Sequence, residues 1–537
     1  MTSSAAPGVA QPTPDEIVSR SSSLFLFLIV AIFIAARIWR LTASCLWFDE
    51  IFGIHAARYN WKQMFQFVAA DLIHPPLFYA LLKIWIAIGG ESLLWLRLLP
   101  ALLSIAAIVP IVLLCRALKL NSWQMNLAVA LLAVNGYLIK YAQEIRMYSL
   151  LFLLTTTSLW LCVRFTDPAS TVRRILPALL LVNLLLVYSH YYGWVVVFAE
   201  LLFILLWRRE RLIKFLLTIF ALILSYLPWL YLITISKEPG RGLAQNIGWV
   251  TRPGLSDVAQ FFSMLNTPFF FRQSSANSAT DIWGTILSVI VFGVPVVIFF
   301  WRAMKDKRIG AASEIWILGF VILPIVLVFV LSWVLPHSVW GTRHLIVTAV
   351  PYAILAALAL SELRITWLRT TCLVLLGFWV VLNGAVTLWK RPPNLTWCTW
   401  EPLARQVVSA ETNASQPIDV YAFEDLVAYH LWFAFANANR EGHSVQFKVH
   451  VVKGVPGLQE DPAYFLPRRF YEIETHDGAI LRGDSIWLAF RDKQWNPTQA
   501  PLSLIAAQGF ETGRVFELRA QGQQSFLVEL RRTGQTR

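Results

Sequence analysis

Charge is scarce in this chain of 537 residues: 14% are Asp, Glu, Lys or Arg, and 57% are hydrophobic. A soluble domain carries about 25% charge. No water-soluble packing hides so much apolar surface, which excludes a soluble enzyme and a disordered chain. Cysteine is scarce as well. Five residues exclude a small disulfide scaffold, and their spacing matches no metal-binding pattern. Cys115, Cys162 and Cys372 sit in or beside apolar runs, where core packing accounts for them. Cys45 and Cys398 both fall where an oxidising compartment would be met; a bridge between them is open, with two free thiols the favoured reading. There is no internal repeat, and no low-complexity segment beyond the polar first 20 residues.

What the chain has instead is long apolar runs. A spanning helix needs about 20 mostly apolar residues. Runs at 22–39, 94–115, 124–139, 148–163, 175–190, 192–207, 212–235, 282–301, 314–335, 344–361 and 366–388 give eleven expected spans. The first ends in Arg37 and Arg40 without a small-residue cleavage site, so it reads as a retained anchor. The net charge of +13 lies entirely in residues 1–389, with 29 Lys and Arg against 16 Asp and Glu; residues 390–537 hold 16 of each. Basic residues in the membrane half set topology, which leaves no reason for a nucleic-acid partner.

Two basic turns, Arg208–Lys214 and Arg302–Arg308, are expected to be cytoplasmic. Counting spans from them puts 116–123, 164–174, 361–369 and the tail 1–21 inside as well. The run 74–89 opens with His74-Pro75-Pro76 and carries Lys83 in its middle. Were it to cross, everything before it would invert, so an interfacial amphipathic helix is expected there. Three regions then face outward: loops 40–93 and 236–281, and residues 390–537. The last region changes character. Strands near 418–423, 445–452, 485–490 and 525–530, with a helix at 426–436, indicate a soluble α/β domain. It carries neither GxGxxG nor a Walker motif, and so gives no sign of nucleotide binding.

The informative residues are polar groups at the outer membrane boundary, where ionisable side chains are costly and mark function. Asp49-Glu50 follows Leu46-Trp47-Phe48 just beyond the first span. Partial desolvation would raise a carboxylate pKa and favour its use as a base. His74 precedes Pro75, so it is expected to be extended and set apart from the following helix. Glu144, Arg146 and Tyr148 lie between spans three and four, and Arg97 near the outer end of span two; snorkelling is the plain alternative for the charged ones. His190 and Tyr191 occupy a tight outer turn, where an aromatic interfacial belt is favoured over ligand contact. Arg343-His344 opens span ten. A boundary guanidinium suits a lipid phosphate, which it binds bidentately. Together these residues suggest chemistry on a lipid-phosphate substrate.

Asp49-Glu50, His74-Pro75-Pro76-Leu77 and Leu96-Arg97-Leu98-Leu99-Pro100 resemble the GT-C superfamily of integral-membrane glycosyltransferases. Within it the chain is similar to glycosyltransferase family 39 and its bacterial relatives, protein O-mannosyltransferases and lipid A aminoarabinose transferases. Gln143–Tyr148 and Arg343-His344-Leu345 also resemble family landmarks. The resemblance covers residues 20–390. It implies a polytopic α-helical transferase domain over 22–389, a polyprenyl-phosphate monosaccharide donor, an inverting transfer and a site on the outer face of a bacterial inner membrane. A periplasmic α/β domain at 390–537 is similar to some bacterial members. By resemblance Asp49 is the general base, with Glu50 beside it. His74 stands where the aminoarabinose enzymes have Lys, and Arg146, Arg343 and Arg97 lie toward the donor phosphate. Residues 58–70 match the helix of the first loop. A second Asp found in some relatives is replaced here by Tyr148, leaving Glu144 as its substitute or no substitute needed. No cofactor is required, and a divalent cation is compatible. The acceptor is a lipid, glycan or protein. Two rivals remain: an oligosaccharide polymerase or ligase, independent of Asp49, and a lipid-linked sugar flippase.

Overall fold

The computed structural model describes residues 14–237, 244–269, 282–305, 312–390, 395–411, 416–441, 445–453, 466–477, 481–492 and 494–533. Most of the 1–21 tail, parts of the 236–281 loop, and Lys307 and Arg308 lie outside these. The helical part begins with α1 (Pro14–Ile38), α2 (Phe48–Arg58), α3 (Trp61–Asp71), α4 (Leu77–Gly89), α5 (Leu93–Ala106), α6 (Ile108–Ala117), α7 (Ser122–Val134), α8 (Gly136–Ala142), α9 (Tyr148–Thr166), α10 (Val172–Ser189), α11 (Tyr192–Trp207) and α12 (Leu212–Ser236). Among the described residues eight helices are long and apolar enough to cross a membrane. They correspond to eight of the expected runs. The runs 22–39, 124–139 and 192–207 appear as shorter apolar helices, as does 74–89. With 13 residues, α4 is about 20 Å long, against about 30 Å of bilayer core. Its Lys83 donates to the Ala57 and Tyr59 carbonyls at the end of α2.

The run 124–139, read as one helix, is broken at Asn135. A break frees the last carbonyls of the first segment, and each must find a donor. Arg37 supplies the Leu132 and Ala133 carbonyls at 3.2 and 3.4 Å, and the Phe269 amide bonds the Val134 carbonyl. Asn135 itself caps α8 by accepting from the Leu138 amide, and donates to the Leu265 carbonyl. The kink thus pins the outer segment 265–269 against α7 and α8.

The C-terminal part holds a six-stranded mixed sheet, ordered β3-β2-β1-β4-β6-β5, built from β1 (Ile418–Ala422), β2 (Phe447–Lys453), β3 (Glu474–Asp477), β4 (Ser485–Asp492), β5 (Phe510–Ala520) and β6 (Gln523–Arg532). β1 lies parallel to both β2 and β4, and β2 parallel to β3; β6 is antiparallel to its neighbours. Alternation along β1 turns Val420 and Ala422 to one face and Tyr421 to the other. The first face joins the Asp425–Arg440 helix and the core of the membrane helices in one continuous apolar cluster. Phe48 packs on Tyr429 with ring centroids 5.1 Å apart, and His55 bonds the Tyr429 hydroxyl. Cys45 and Cys398 form a disulfide, against the favoured reading of two free thiols. The sequence separation of 353 concealed the pairing; the fold brings their Cα atoms to 5.4 Å.

Candidate functional site

The site gathers on α2, the α3–α4 and α8–α9 connections, the α10–α11 turn and the segment before residue 344. Glu50 is buried. One of its carboxylate oxygens accepts from the Ile145 amide, and the other from the Trp47 amide and Arg97 Nη2. Arg97 also donates to the carbonyls of Leu41, Ser44 and Cys45. These two residues therefore spend themselves on folding the first outer loop onto α5 and the 143–147 connection, and neither turns to the cluster described next. Their clamp fixes the first turn of α2, and so fixes Asp49, which faces the other way.

Asp49 meets Arg343 at 3.3 Å, in a pair with side chains 22% and 27% exposed. The Arg343 guanidinium lies 5.9 Å from the Tyr148 ring centre. Arg146 is buried, donating to the Asp49 carbonyl at 3.1 Å and the Tyr79 hydroxyl at 3.3 Å. Burial opposes its charge, but Tyr79 and Asp49 hold its pKa above the ordinary arginine range. Arg343 is raised likewise, with Tyr148 and Asp49 as the opposing neighbours.

Beside the two guanidiniums stand His74, His190 and His344, with ring centroids 4.5–6.1 Å apart. His190 Nδ1 accepts from the Tyr192 amide at 3.0 Å, so the proton of the neutral ring must be on Nε2. Burial, with Arg343 and Arg146 nearby, lowers His190 to about 3, and His74 is held well below its usual value for the same kind of reason. Burial is the larger cause in both rings, and the neighbouring guanidiniums act in the same direction. His190 Nε2, His74 Nδ1, His344 Nε2, Tyr148 Oη, Glu144 Oε1 and Arg146 Nε are all buried without a hydrogen-bond partner among the described residues. Buried polar atoms are normally paired. So many orphans beside two guanidiniums describe a place for a polar, anionic ligand. A Cβ on Gly341 would lie 2.5 Å from His344 Nδ1, so any side chain there would displace the ring.

The site acquires a context from comparison. No family model matches the sequence, and no curated protein does. Solved structures do match. ArnT from Cupriavidus metallidurans, bound to undecaprenyl phosphate, superposes with a TM-score of 0.54 at 13% identity, covering 95% of this chain and 98% of that one. Its apo state gives 0.51 at 12% identity over the same shares. The oligosaccharyltransferase AglB from Archaeoglobus fulgidus gives 0.49 at 14% identity, covering 78% of this chain; this chain spans 64% of AglB. The chain shares its fold with ArnT.

Within this fold, the expected residues Asp49, His74, Arg146, Tyr148, His190, Arg343 and His344 come together. Glu144 lies beside them, buried, with Lys140 3.4 Å from its other oxygen; burial raises its carboxyl. Tyr191 is half-buried on the same turn, where burial pushes its hydroxyl up to about 12. Three contributors escaped the sequence reading. Tyr79 supports Arg146. Asp71 ends α3 near Arg146 and Arg468; burial lifts its carboxyl to about 6 although both arginines oppose the rise. Arg468, from the C-terminal part, is buried and donates to the Ala70 carbonyl at 3.3 Å. The Asp71–Arg468 neighbourhood joins positions nearly 400 residues apart and had no local signal. A His-Glu-His set in the sheet, His450, Glu474 and His476, is the group of potential metal-ligating side chains that converges among the described residues. No local ligand spacing marks it, because two strands supply its members.

Proposed function

We propose that this chain is a glycosyltransferase that moves a monosaccharide from a polyprenyl-phosphate donor to an acceptor hydroxyl or amine, with inversion, at the outer face of a bacterial inner membrane. The observation that carries the reading is the Asp49–Arg343 pair set against unpartnered buried polar atoms and Arg146. The ArnT structure of the same fold was solved with undecaprenyl phosphate. The Cys45–Cys398 disulfide, four residues before Asp49, supports an oxidising compartment on this side. Residues 22–389 would form the transferase domain behind a cytoplasmic tail 1–21, and residues 390–537 a periplasmic domain.

The chemistry follows from charge. The donor phosphate would lie between Arg343 and Arg146, with His190 Nε2–H and the His74 and His344 rings beside it. The acceptor attacks the anomeric carbon from the side opposite the phosphate. Asp49 takes the acceptor proton, the carbon–oxygen bond to phosphate breaks, and polyprenyl phosphate leaves with both electrons. Fixed positive charge stabilises the leaving dianion, so little acid catalysis is needed. Binding of the donor has a second effect: the phosphate competes for Arg343 and releases Asp49 to act as base. Glu50 and Arg97 act as positioning residues in this scheme. The reaction as written needs no cofactor, and a divalent cation on the phosphate would be compatible with it.

Purified protein in nanodiscs, given a panel of radiolabelled polyprenyl-phosphate sugars and crude envelope acceptors, tests this. Release of polyprenyl phosphate from one donor, lost in Asp49→Asn, is the expected result. Equal release by both proteins would remove Asp49 as base and favour the polymerase or ligase reading. Movement of intact donor across the bilayer without release would favour a flippase.

A further inference from the structure

We propose that the C-terminal sheet carries a site for one zinc-class divalent ion, held by His450, Glu474 and His476. The register of β2 on β3 sets His450 opposite Glu474, and Val452 opposite His476. Residues two apart on β3 share a face, so both β3 side chains meet His450. His450 Nδ1 and His476 Nε2 stand 3.0 Å apart. Glu474 Oε2 lies 3.7 Å from each. Two ligand atoms about 2.0–2.1 Å from a tetrahedral zinc ion are about 3.4 Å apart, a value these distances bracket.

The surroundings favour a ligand set over a chance meeting. Asp419 Oδ1 lies 2.8 Å from His450 Nε2; since a carboxylate only accepts, Nε2 carries the proton and Nδ1 presents its lone pair to the cluster. A carboxylate behind a ligating imidazole is the usual arrangement that fixes its tautomer and orientation. The Tyr421 ring stacks on His450 at 4.8 Å and 18°, fixing the ring plane. Lys448 Nζ bonds Glu474 Oε1 at 2.8 Å, leaving Oε2 to the cluster. A hydrogen bond between the two imidazoles explains their separation alone, not the carboxylate oxygen equidistant from both. Two imidazoles and a carboxylate suit zinc, and disfavour the all-oxygen cations calcium and magnesium. Glu474 and His476 are 49% and 40% exposed, so a fourth position is open to water.

The location gives the ion a task. β3 is the edge strand, four residues long, and would otherwise be weakly held. Six residues before it, Arg468 reaches the Asp71 neighbourhood, and Phe470 packs on His55 and Trp432. An ion joining β3 to β2 tethers the segment that delivers Arg468.

The test uses full-length purified protein, freed of any affinity tag, stripped with chelator and titrated with zinc chloride. One zinc per chain is expected, with at least a tenfold weakening in His476→Ala and in Glu474→Gln. Cobalt is expected to give tetrahedral visible bands that His476→Ala abolishes. Thermal unfolding of the metal-free variants should match metal-free wild type, which separates lost ligation from misfolding. No stoichiometric zinc in wild type, or unchanged binding in the variants, overturns the site and leaves a ring-to-ring hydrogen bond. Zinc is also expected to slow hydrogen exchange over 466–477; unchanged exchange there would overturn the tether.

Discussion

Asp49 and Glu50 are neighbours in sequence with opposite expected roles, and two amide substitutions separate them. Glu50 is paired with Arg97 at 3.2 Å, with side chains 2% and 5% exposed. It also accepts two backbone amides. Glu50→Gln leaves a buried guanidinium without its counter-charge and sets a new amide N–H toward existing donors. Breaking a buried pair costs about 3–5 kcal/mol. Three backbone carbonyls still hold Arg97, so the lower end, about 3 kcal/mol, is expected. Asp49→Asn instead removes one partly exposed contact, worth about 0–1 kcal/mol. It also removes the proposed base, worth about 10²–10⁴ in rate. Thermal unfolding and polyprenyl phosphate release, measured on both variants, form the assay. Glu50→Gln should unfold at a clearly lower temperature; Asp49→Asn should keep the wild-type midpoint and lose release. A stable, inactive Glu50→Gln beside an active Asp49→Asn would refute the assignment of clamp and base.

Gly341→Ala pushes a methyl group against His344, so affinity for polyprenyl phosphate should fall about tenfold, about 1.4 kcal/mol, in a lipid-displacement assay. The proposed donor is a phosphodiester with no ionisation near neutrality, whereas burial lifts the Asp71 carboxyl to about 6. Protonated below that pH, Asp71 is neutral; ionised above it, it adds negative charge near Arg146. Donor affinity should therefore decline as pH rises through about 6, and the decline should vanish in Asp71→Asn. Cys45→Ser removes the link between the first outer loop and residue 398, with an expected cost of about 2–4 kcal/mol in unfolding experiments; wild type under reductant should show the same loss.

The sequence made the boundary residues legible because the bilayer makes them conspicuous. A charge or His-Pro turn at the end of an apolar run has few inexpensive explanations, so Asp49, His74, Arg146 and Arg343 stood out, and the fold gathers them. Which way a boundary side chain turns is set by its tertiary partners. Arg97 and Glu50 looked like Arg146 and Asp49, yet they fold back on each other and on loop carbonyls. Asn135 gave no helix-breaking signal; the break holds because Arg37 and Phe269 supply donors from elsewhere. The strands Ile418–Ala422 and Ser485–Asp492 were readable as short apolar runs. β3 was not, since Glu474–Asp477 is polar, and the His450–Glu474–His476 set depends on its register. Asp71 and Arg468 meet only through tertiary packing of the two halves.

The most direct test of the account is the configuration at the anomeric carbon of the sugar transferred by wild type, determined by nuclear magnetic resonance on the isolated product of a single turnover. The configuration opposite to that of the polyprenyl-phosphate donor is expected. Retained configuration would contradict it, because one direct displacement assisted by Asp49 cannot preserve the stereocentre.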